Sequence, residues 1–236
     1  TLPYFALKLL FPQNPSLANA AFFVGITPTA TAAPVVVAFL NGRIGFALTG
    51  FTITNVFVSL SLLFLLPMVT GQFTASFIER VAVTLLQVIA FPFMTAVILR
   101  AIRPKLRELP KKLKTFSFLL WSFTLFILAA IARNYFIENP HVSMWNVAGI
   151  ALISAVICFC NFWFGKYLAP RRYRRECSQL LGQKNTTFTM YLALHYASAL
   201  VAMGPIFYIF CHNMWNAWQM YCYDRRRFLR DSHRKN

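Results

Sequence analysis

A short polar patch near the C-terminal end of the chain holds the side chains best suited to bind a ligand. Residues 182–187 read Gly-Gln-Lys-Asn-Thr-Thr and interrupt an apolar run. The ammonium of Lys184, the amide of Asn185 and the hydroxyls of Thr186 and Thr187 can together bind an anion. Roughly ten residues separate Lys184 from either end of the run, which predicts a position near the middle of a bilayer and therefore a functional site. The competing interpretation is that Lys184 extends to the interface from a short helix and is structural.

A second interruption lies near the N-terminal end. Residues 27–34 contain three threonines and two prolines between two apolar segments. Thr27, Thr29 and Thr31 supply hydroxyls that can complete a cradle for the same anion. Non-helical backbone inside a membrane is tolerated where it lines a cavity or is buried in protein. A proline kink in a continuous helix is the alternative interpretation.

The composition that surrounds these patches is typical of a polytopic all-α membrane protein. Of the 236 residues, 58% are hydrophobic and 12% are charged. The net charge of +17 does not indicate nucleic-acid binding, because the basic residues are confined to short segments between apolar runs. The span at 46–68 contains Thr49, Thr52, Thr54 and Asn55, and some of these are expected to face the protein interior. We expect continuous spans at residues 46–68, 77–99, 115–136, 145–168 and 202–221.

The sequence has no arrangement typical of an enzyme or of a cofactor site. It contains no glycine-rich phosphate loop, no Ser-His-Asp arrangement and no Cys/His spacing typical of a metal site. The five cysteines lie mostly in apolar segments, and their odd number argues against a disulfide framework. We therefore expect no catalytic residue, no metal and no cofactor.

The basic residues also predict the orientation in the membrane. Clusters at 100–114, 171–175 and 225–235 should be cytoplasmic, since lysine and arginine are enriched on that side. The loops near 13–15, 70–76, 138–141 and 197–201 have no lysine or arginine and are expected on the other side. The pattern predicts an integral protein of a bacterial inner membrane or a plasma membrane, with a cytoplasmic C-terminus.

The two interruptions lie about 154 positions apart, and each is followed by one continuous span. Paired interruptions at corresponding places indicate an inverted-repeat transporter. The expected domains are the C-terminal part of a first repeat at 1–76, a second repeat at 77–223 and a basic cytoplasmic tail at 224–236. The same spacing leads us to expect further N-terminal helices of the same protein, outside this sequence.

Several short motifs resemble one transporter family. Residues 182–185 (Gly-Gln-Lys-Asn), 204–207 (Gly-Pro-Ile-Phe) and 212–213 (His-Asn) are similar to the end of the bile acid:sodium symporter family, and residues 25–55 resemble its fourth and fifth helices. The resemblance implies a ten-helix fold with a core domain and a panel domain, two discontinuous helices that cross in mid-membrane, and sodium-driven uptake of organic anions. It implies panel helices at 77–137 and core helices at 145–223.

The chain departs from the family pattern at the positions expected to bind sodium. Aligning the family's second break on Gly182 places Leu180 where the family has a glutamate and Lys184 where it has a glutamine. In the first break, Ala33 and Pro34 stand where the family has a serine and an asparagine. The departures predict a transporter of a small organic anion that is not coupled to sodium.

Two further possibilities stay open at this stage. Proton coupling through Lys184 is one, since burial disfavours the charged form of an amine. The other is a binding or sensor protein that keeps the transporter fold without translocating a substrate. The expected partners are the anion, the lipid bilayer and the further N-terminal helices of the same protein, and no nucleic acid is expected.

Overall fold

The computed structural model describes residues 2–103 and 113–233. It is 85% helix, and no strand occurs in the described part of the chain, which confirms the all-α class. The helices are α1 (Leu2–Leu10), α2 (Pro15–Ile26), α3 (Ala32–Phe39), α4 (Ile44–Thr70), α5 (Ala75–Leu85), α6 (Phe91–Ile102), α7 (Lys114–Glu138), α8 (Met144–Leu168), α9 (Arg174–Gly182), α10 (Thr186–Tyr196) and α11 (Ala199–His233). A π-helical turn, Leu86–Ala90, joins α5 to α6, and a 3₁₀ turn, Arg171–Tyr173, precedes α9.

The chain forms two compact units. The first comprises the residues up to Leu60 and those from Ser143 onward. Its centre is α2, which packs on α1, α8, α10 and α11, and whose Phe22 and Phe23 are fully buried. Helix α9 packs on α8 and α3. This unit contains both predicted interruptions.

The second unit runs from Ser61 to Val142 and contains the end of α4 together with α5, α6 and α7. Helix α5 begins after Thr74, whose hydroxyl accepts a hydrogen bond from the Phe77 amide at 3.2 Å. Such a cap supplies one of the partners that the first backbone N–H groups of a helix lack.

Three helical segments are long and apolar enough to cross a membrane: Ile44–Thr70, Ala75–Ile102 and Met144–Leu168. They confirm the spans predicted at 46–68, 77–99 and 145–168. Only 17%, 18% and 28% of their most apolar windows are buried within the protein. Apolar faces left exposed over such lengths fit a hydrocarbon surround, so the chain is an integral membrane protein.

The other two predicted spans lie within helices whose bounds differ from the prediction. The segment 115–136 lies in α7. The segment 202–221 lies in α11, which continues past Tyr221 to His233, so the predicted basic tail begins as helix. No glycine or proline occurs between Ile206 and His233, so nothing in that stretch ends the helix.

Both predicted interruptions are present, and both are shorter than predicted. The first break comprises residues 27–31, because α3 begins at Ala32 and Pro34 lies in its first turn, where a proline is tolerated. The second comprises residues 183–185, because Thr186 already belongs to α10. A kink in a continuous helix is therefore wrong for the first break.

Candidate functional site

The two breaks lie side by side and share backbone hydrogen bonds. The Ala30 amide donates to the Gln183 carbonyl at 2.9 Å, and the Asn185 amide donates to the Pro28 carbonyl at 2.8 Å. Between these two bonds, residues 29 and 184 face each other as an isolated antiparallel bridge. The pairing satisfies backbone groups that the interrupted helices leave without partners, which an apolar surround requires.

Lys184 points at the end of α2. Its Nζ atom donates to the Thr27 carbonyl at 2.8 Å, and the residue is only 9% exposed. Thr27 is the residue that ends α2, and the carboxyl end of a helix carries a partial negative charge. The ammonium is therefore bonded to a site that attracts cations. The Lys184 side chain is thus bonded inside the protein rather than extended toward solvent.

One further carbonyl group near the end of α2, that of Phe23, also has a side-chain donor. The Thr27 hydroxyl lies 2.6 Å from the Phe23 carbonyl, to which it donates, and 2.9 Å from the Thr189 hydroxyl. Both threonines are buried. Thr189 lies in the first turns of α10, so this contact joins the segment before the first break to the segment after the second.

Two carbonyl groups at the end of α9 also accept hydrogen bonds from side chains. The Thr29 hydroxyl donates to the Leu180 carbonyl at 2.6 Å, and the Tyr208 hydroxyl donates to the Gly182 carbonyl at 2.8 Å. Tyr208 in turn accepts a hydrogen bond from Asn161 at 3.2 Å. Each helix that ends at a break thus has at least one of its last carbonyl groups bonded to a side chain from elsewhere in the unit.

Helix α4 also forms hydrogen bonds to the first break. Thr54 donates to the Thr29 hydroxyl at 2.9 Å, and the Asn55 amide donates to the Thr29 carbonyl at 3.0 Å. Thr29 is 1% exposed. Its backbone and its side chain are therefore both fixed. Of the four polar residues of this span, Thr54 and Asn55 face the interior, whereas Thr49 and Thr52 are exposed.

A chain of buried amides continues from the second break along α11. Asn216 donates to the Gln183 side-chain oxygen, and Gln179 donates to Asn216 at 3.2 Å and to Gln219 at 2.6 Å. Within the described residues, the Gln179 side-chain oxygen has no hydrogen-bond partner. These hydrogen-bonded amides connect residue 183, next to Lys184, to the part of α11 near its basic end.

Two glycines allow α9 to lie against α8. A Cβ atom on Gly165 would lie 2.4 Å from the Cys177 carbonyl oxygen, and one on Gly182 would lie 2.3 Å from the Phe162 ring. Neither distance is tolerated by a larger residue without movement. The close packing places the carboxyl end of α9 where Tyr208 reaches it.

The helices that follow the breaks, α3 and α10, do not have a side-chain cap at their first turns. Neither Thr31 before α3 nor Asn185 before α10 forms a side-chain hydrogen bond to the first turn of its helix. The first backbone N–H groups of these helices are thus not capped by those side chains, and the positive ends of their dipoles are at the breaks. The breaks combine an ammonium with two such helix ends, an arrangement that suits an anionic ligand.

Comparison with protein families identifies the chain. The sequence profile of the sodium bile acid symporter family matches residues 2–139, which is more than half of the 236 residues. This chain belongs to the sodium bile acid symporter family. Proteins of this family are transporters and not enzymes. Comparison with curated proteins gives no match.

The family assignment confirms the resemblance seen in the sequence, together with membrane location and symporter-like transport as broad properties. The matched residues include the first break and helices α1 to α7. The second break lies outside them. Support for a role of Lys184 therefore comes from its contacts alone, and not from the family match.

The structure brings together some of the residues predicted to bind substrate in this family member. Lys184, Thr27 and Thr29 meet at the paired breaks, with Asn185 beside them through its backbone. Thr186 and Thr187 follow in the first turn of α10, where Thr186 is buried and Thr187 half-buried. Thr31 is exposed at the start of α3.

Sequence reasoning missed three side chains that hold the breaks: Tyr208, Thr189 and Asn216. Tyr208 lies among many aromatic residues of α11, and nothing in that pattern distinguishes the residue that reaches Gly182. Thr189 continues the polar character of residues 186–187 and is the one that the pattern could have suggested.

Proposed function

We propose that this protein is a secondary transporter of a small organic anion that works without sodium. The observation that carries the proposal is the 2.8 Å hydrogen bond from Lys184 Nζ to the Thr27 carbonyl. In transporters with discontinuous helices, the carboxyl ends of half-helices and unwound carbonyls are the groups that bind coupling cations. Here a covalently attached cation occupies one such end.

Three further carbonyl groups at the breaks also argue against a sodium site. Those of Phe23, Leu180 and Gly182 accept hydrogen bonds from hydroxyl groups. A sodium ion would have to displace these donors and also sit beside the Lys184 ammonium. The positions where the family is expected to have a carboxylate and an amide hold Leu180 and Lys184, so no side-chain anion is gained in return.

An anionic ligand meets the opposite conditions. The ammonium has three N–H donors, of which one is bonded to Thr27. The amino ends of α3 and α10 add backbone donors and positive partial charge. We propose a carboxylate or sulfate as the headgroup, bound by Lys184 and the first turns of these two half-helices, with Thr186, Thr187 and Thr31 as further hydroxyl donors.

The wider architecture is part of the proposal. We infer an inverted-repeat fold in which the helices interrupted at the two breaks cross in mid-membrane. Residues 77–137 would form panel helices and residues 145–223 core helices, with alternating access by movement of the core. The basic end of the chain would be cytoplasmic, following the distribution of lysine and arginine.

The test is an anion-binding measurement in the absence of sodium. Radiolabelled carboxylates and sulfates, a bile acid among them, are titrated onto the purified protein in choline chloride and in sodium chloride. We expect equal binding in the two salts and weaker binding by Lys184→Gln. Binding that requires sodium, or that is unchanged by the substitution, contradicts the proposal. Adding a pH gradient across proteoliposomes tests whether release of the Lys184 proton drives uptake.

One observation favours a second candidate, a membrane binding or sensor protein that does not transport. The side-chain bonds at both breaks join α2, α4, α9, α10 and α11, and such a network opposes the local movement that alternating access needs. Uptake of the labelled anion into proteoliposomes separates the two functions. Binding without saturable uptake would establish the second.

A further inference from the structure

A groove of about 270 Å³ lies in the first unit, beside the basic segment 171–175. Its walls are the last turns of α8, the first turn of α9 and the middle of α11. The volume is below the range of about 300–1,000 Å³ usual for whole small-molecule ligands, so the groove suits a headgroup better than a complete substrate.

Two cations line this groove: Lys166 near the end of α8 and Arg175 at the start of α9. Arg175 Nη1 donates to the Leu40 carbonyl at 2.8 Å, and its guanidinium lies 5.2 Å from the centre of the Tyr223 ring. These contacts fix the guanidinium while leaving most of its five N–H donors to other acceptors. Among the described residues that line the groove there is no carboxylate.

Trp215 also lines the groove. Its ring stacks on Phe162 with centroids 5.4 Å apart, and its Nε1 atom is buried. Within residues 2–103 and 113–233, that N–H has no hydrogen-bond acceptor. A buried indole N–H normally has one, because a buried donor without a partner costs about 1–3 kcal/mol.

The rim of the groove is aromatic and exposed. Trp163, Tyr167 and Trp218 are 50%, 57% and 57% exposed. Tryptophan and tyrosine beside lysine and arginine at the end of apolar spans are typical of the membrane–water interface, where rings contact acyl chains and cations contact phosphates.

We propose that this groove binds the headgroup of an acidic phospholipid. Lys166 and Arg175 are the donors to the phosphate, and the exposed rings pack against the first part of an acyl chain. The excess of positive charge without a facing carboxylate argues for an acidic rather than a zwitterionic lipid. This site is independent of the transport proposal, and neither the direction of transport nor the substrate enters the argument.

The experiment is native mass spectrometry of the delipidated protein, titrated with phosphatidylglycerol or phosphatidylcholine of identical acyl chains. We expect the first phosphatidylglycerol to bind at least tenfold more tightly than phosphatidylcholine. The double variant Lys166→Gln/Arg175→Gln should weaken phosphatidylglycerol binding roughly 25-fold, since each interfacial cation contributes about 1 kcal/mol. The matched control Arg171→Gln/Arg172→Gln removes the same charge from the neighbouring turn and should change binding less than about threefold.

Equal affinity for the two lipids, or equal losses in the two double variants, would overturn the proposal. Displacement of the lipid by millimolar inorganic phosphate would also overturn it and assign the groove to a free anion.

Discussion

Sodium sensitivity is the property on which the contact between Lys184 and Thr27 bears most directly. A cation bound to the Thr27 carbonyl would lie close to Nζ, because both would contact the same oxygen and Nζ is already 2.8 Å from it. Two unit charges at 4 Å repel by about 4 kcal/mol at an effective dielectric constant of 20. That energy corresponds to roughly a thousandfold loss of sodium affinity.

The loss can be measured as a change in thermal stability. A site with a dissociation constant of about 1 mM would stabilise the protein by about 2.7 kcal/mol in roughly 100 mM sodium. For a chain of this length such a gain raises the melting temperature by roughly 5–10 °C. A site weakened a thousandfold would contribute less than about 0.1 kcal/mol. We therefore expect identical melting temperatures for the wild type in sodium chloride and in choline chloride of equal concentration.

The substitution Lys184→Gln removes the charge and places an amide oxygen near the same carbonyl group. We expect it to create a sodium-specific rise in melting temperature, and the double variant Leu180→Glu/Lys184→Gln to enlarge it by adding a carboxylate. Lys8→Gln is the matched control, because Lys8 is an exposed lysine on α1. Its melting temperature should not respond to sodium. A saturable sodium effect in the wild type, or no effect in either variant at the break, would refute the electrostatic argument.

Three further predictions concern the support of the breaks and the topology. Tyr208→Phe should destabilise the protein by about 1–2 kcal/mol in thermal melts, since it removes the donor to the Gly182 carbonyl; an unchanged melting temperature would show that the bond is not needed. Gly182→Ala should cost about 1–3 kcal/mol through its contact with the Phe162 ring, whereas Gly45→Ala, which meets nothing within 4 Å, should not destabilise; equal melting temperatures would contradict the packing argument. A cysteine at Asn139, in a background without the native cysteines, should react with an impermeant maleimide from the outside; reaction only from the cytoplasm would reverse the proposed orientation.

The positions of the two breaks could be predicted from sequence because they depend on local chemistry. Pro28 and the neighbouring threonines disfavour a helix inside an apolar segment, and the glycine and polar residues at 182–187 do the same. The bounds were less accurate. Pro34 was assigned to the break, although a proline in the first turn is compatible with a helix that begins at Ala32.

The partners at the breaks could not be predicted because they come from distant segments. Thr27 and Lys184 are 157 positions apart, and Thr27 and Thr189 are 162. Neither hydrophobic periodicity nor motif spacing tells which residue of α11 reaches the end of α9. The hydrogen bond from Tyr208 to the Gly182 carbonyl could therefore not be predicted. Some of the polar residues of the span 46–68 were expected to face protein rather than lipid, and Thr54 and Asn55 do so, but the pattern did not distinguish them from Thr49 and Thr52, which are exposed.

A helix that ends inside a membrane can have its last carbonyl groups bonded to a bound ion or to a side chain of the protein. The Lys184 side chain provides the second kind of partner for α2. A carboxyl end at a break needs a donor or a cation, because lipid supplies neither. A dissociable cation makes the structure of the break depend on the ion, and this dependence is what allows an ion gradient to act on the transport cycle. A lysine side chain cannot dissociate from the protein, so its ammonium completes the end of α2 without making the break depend on sodium. Replacing an ion by Lys184 would therefore preserve the geometry of the break while removing the thermodynamic link to the sodium gradient.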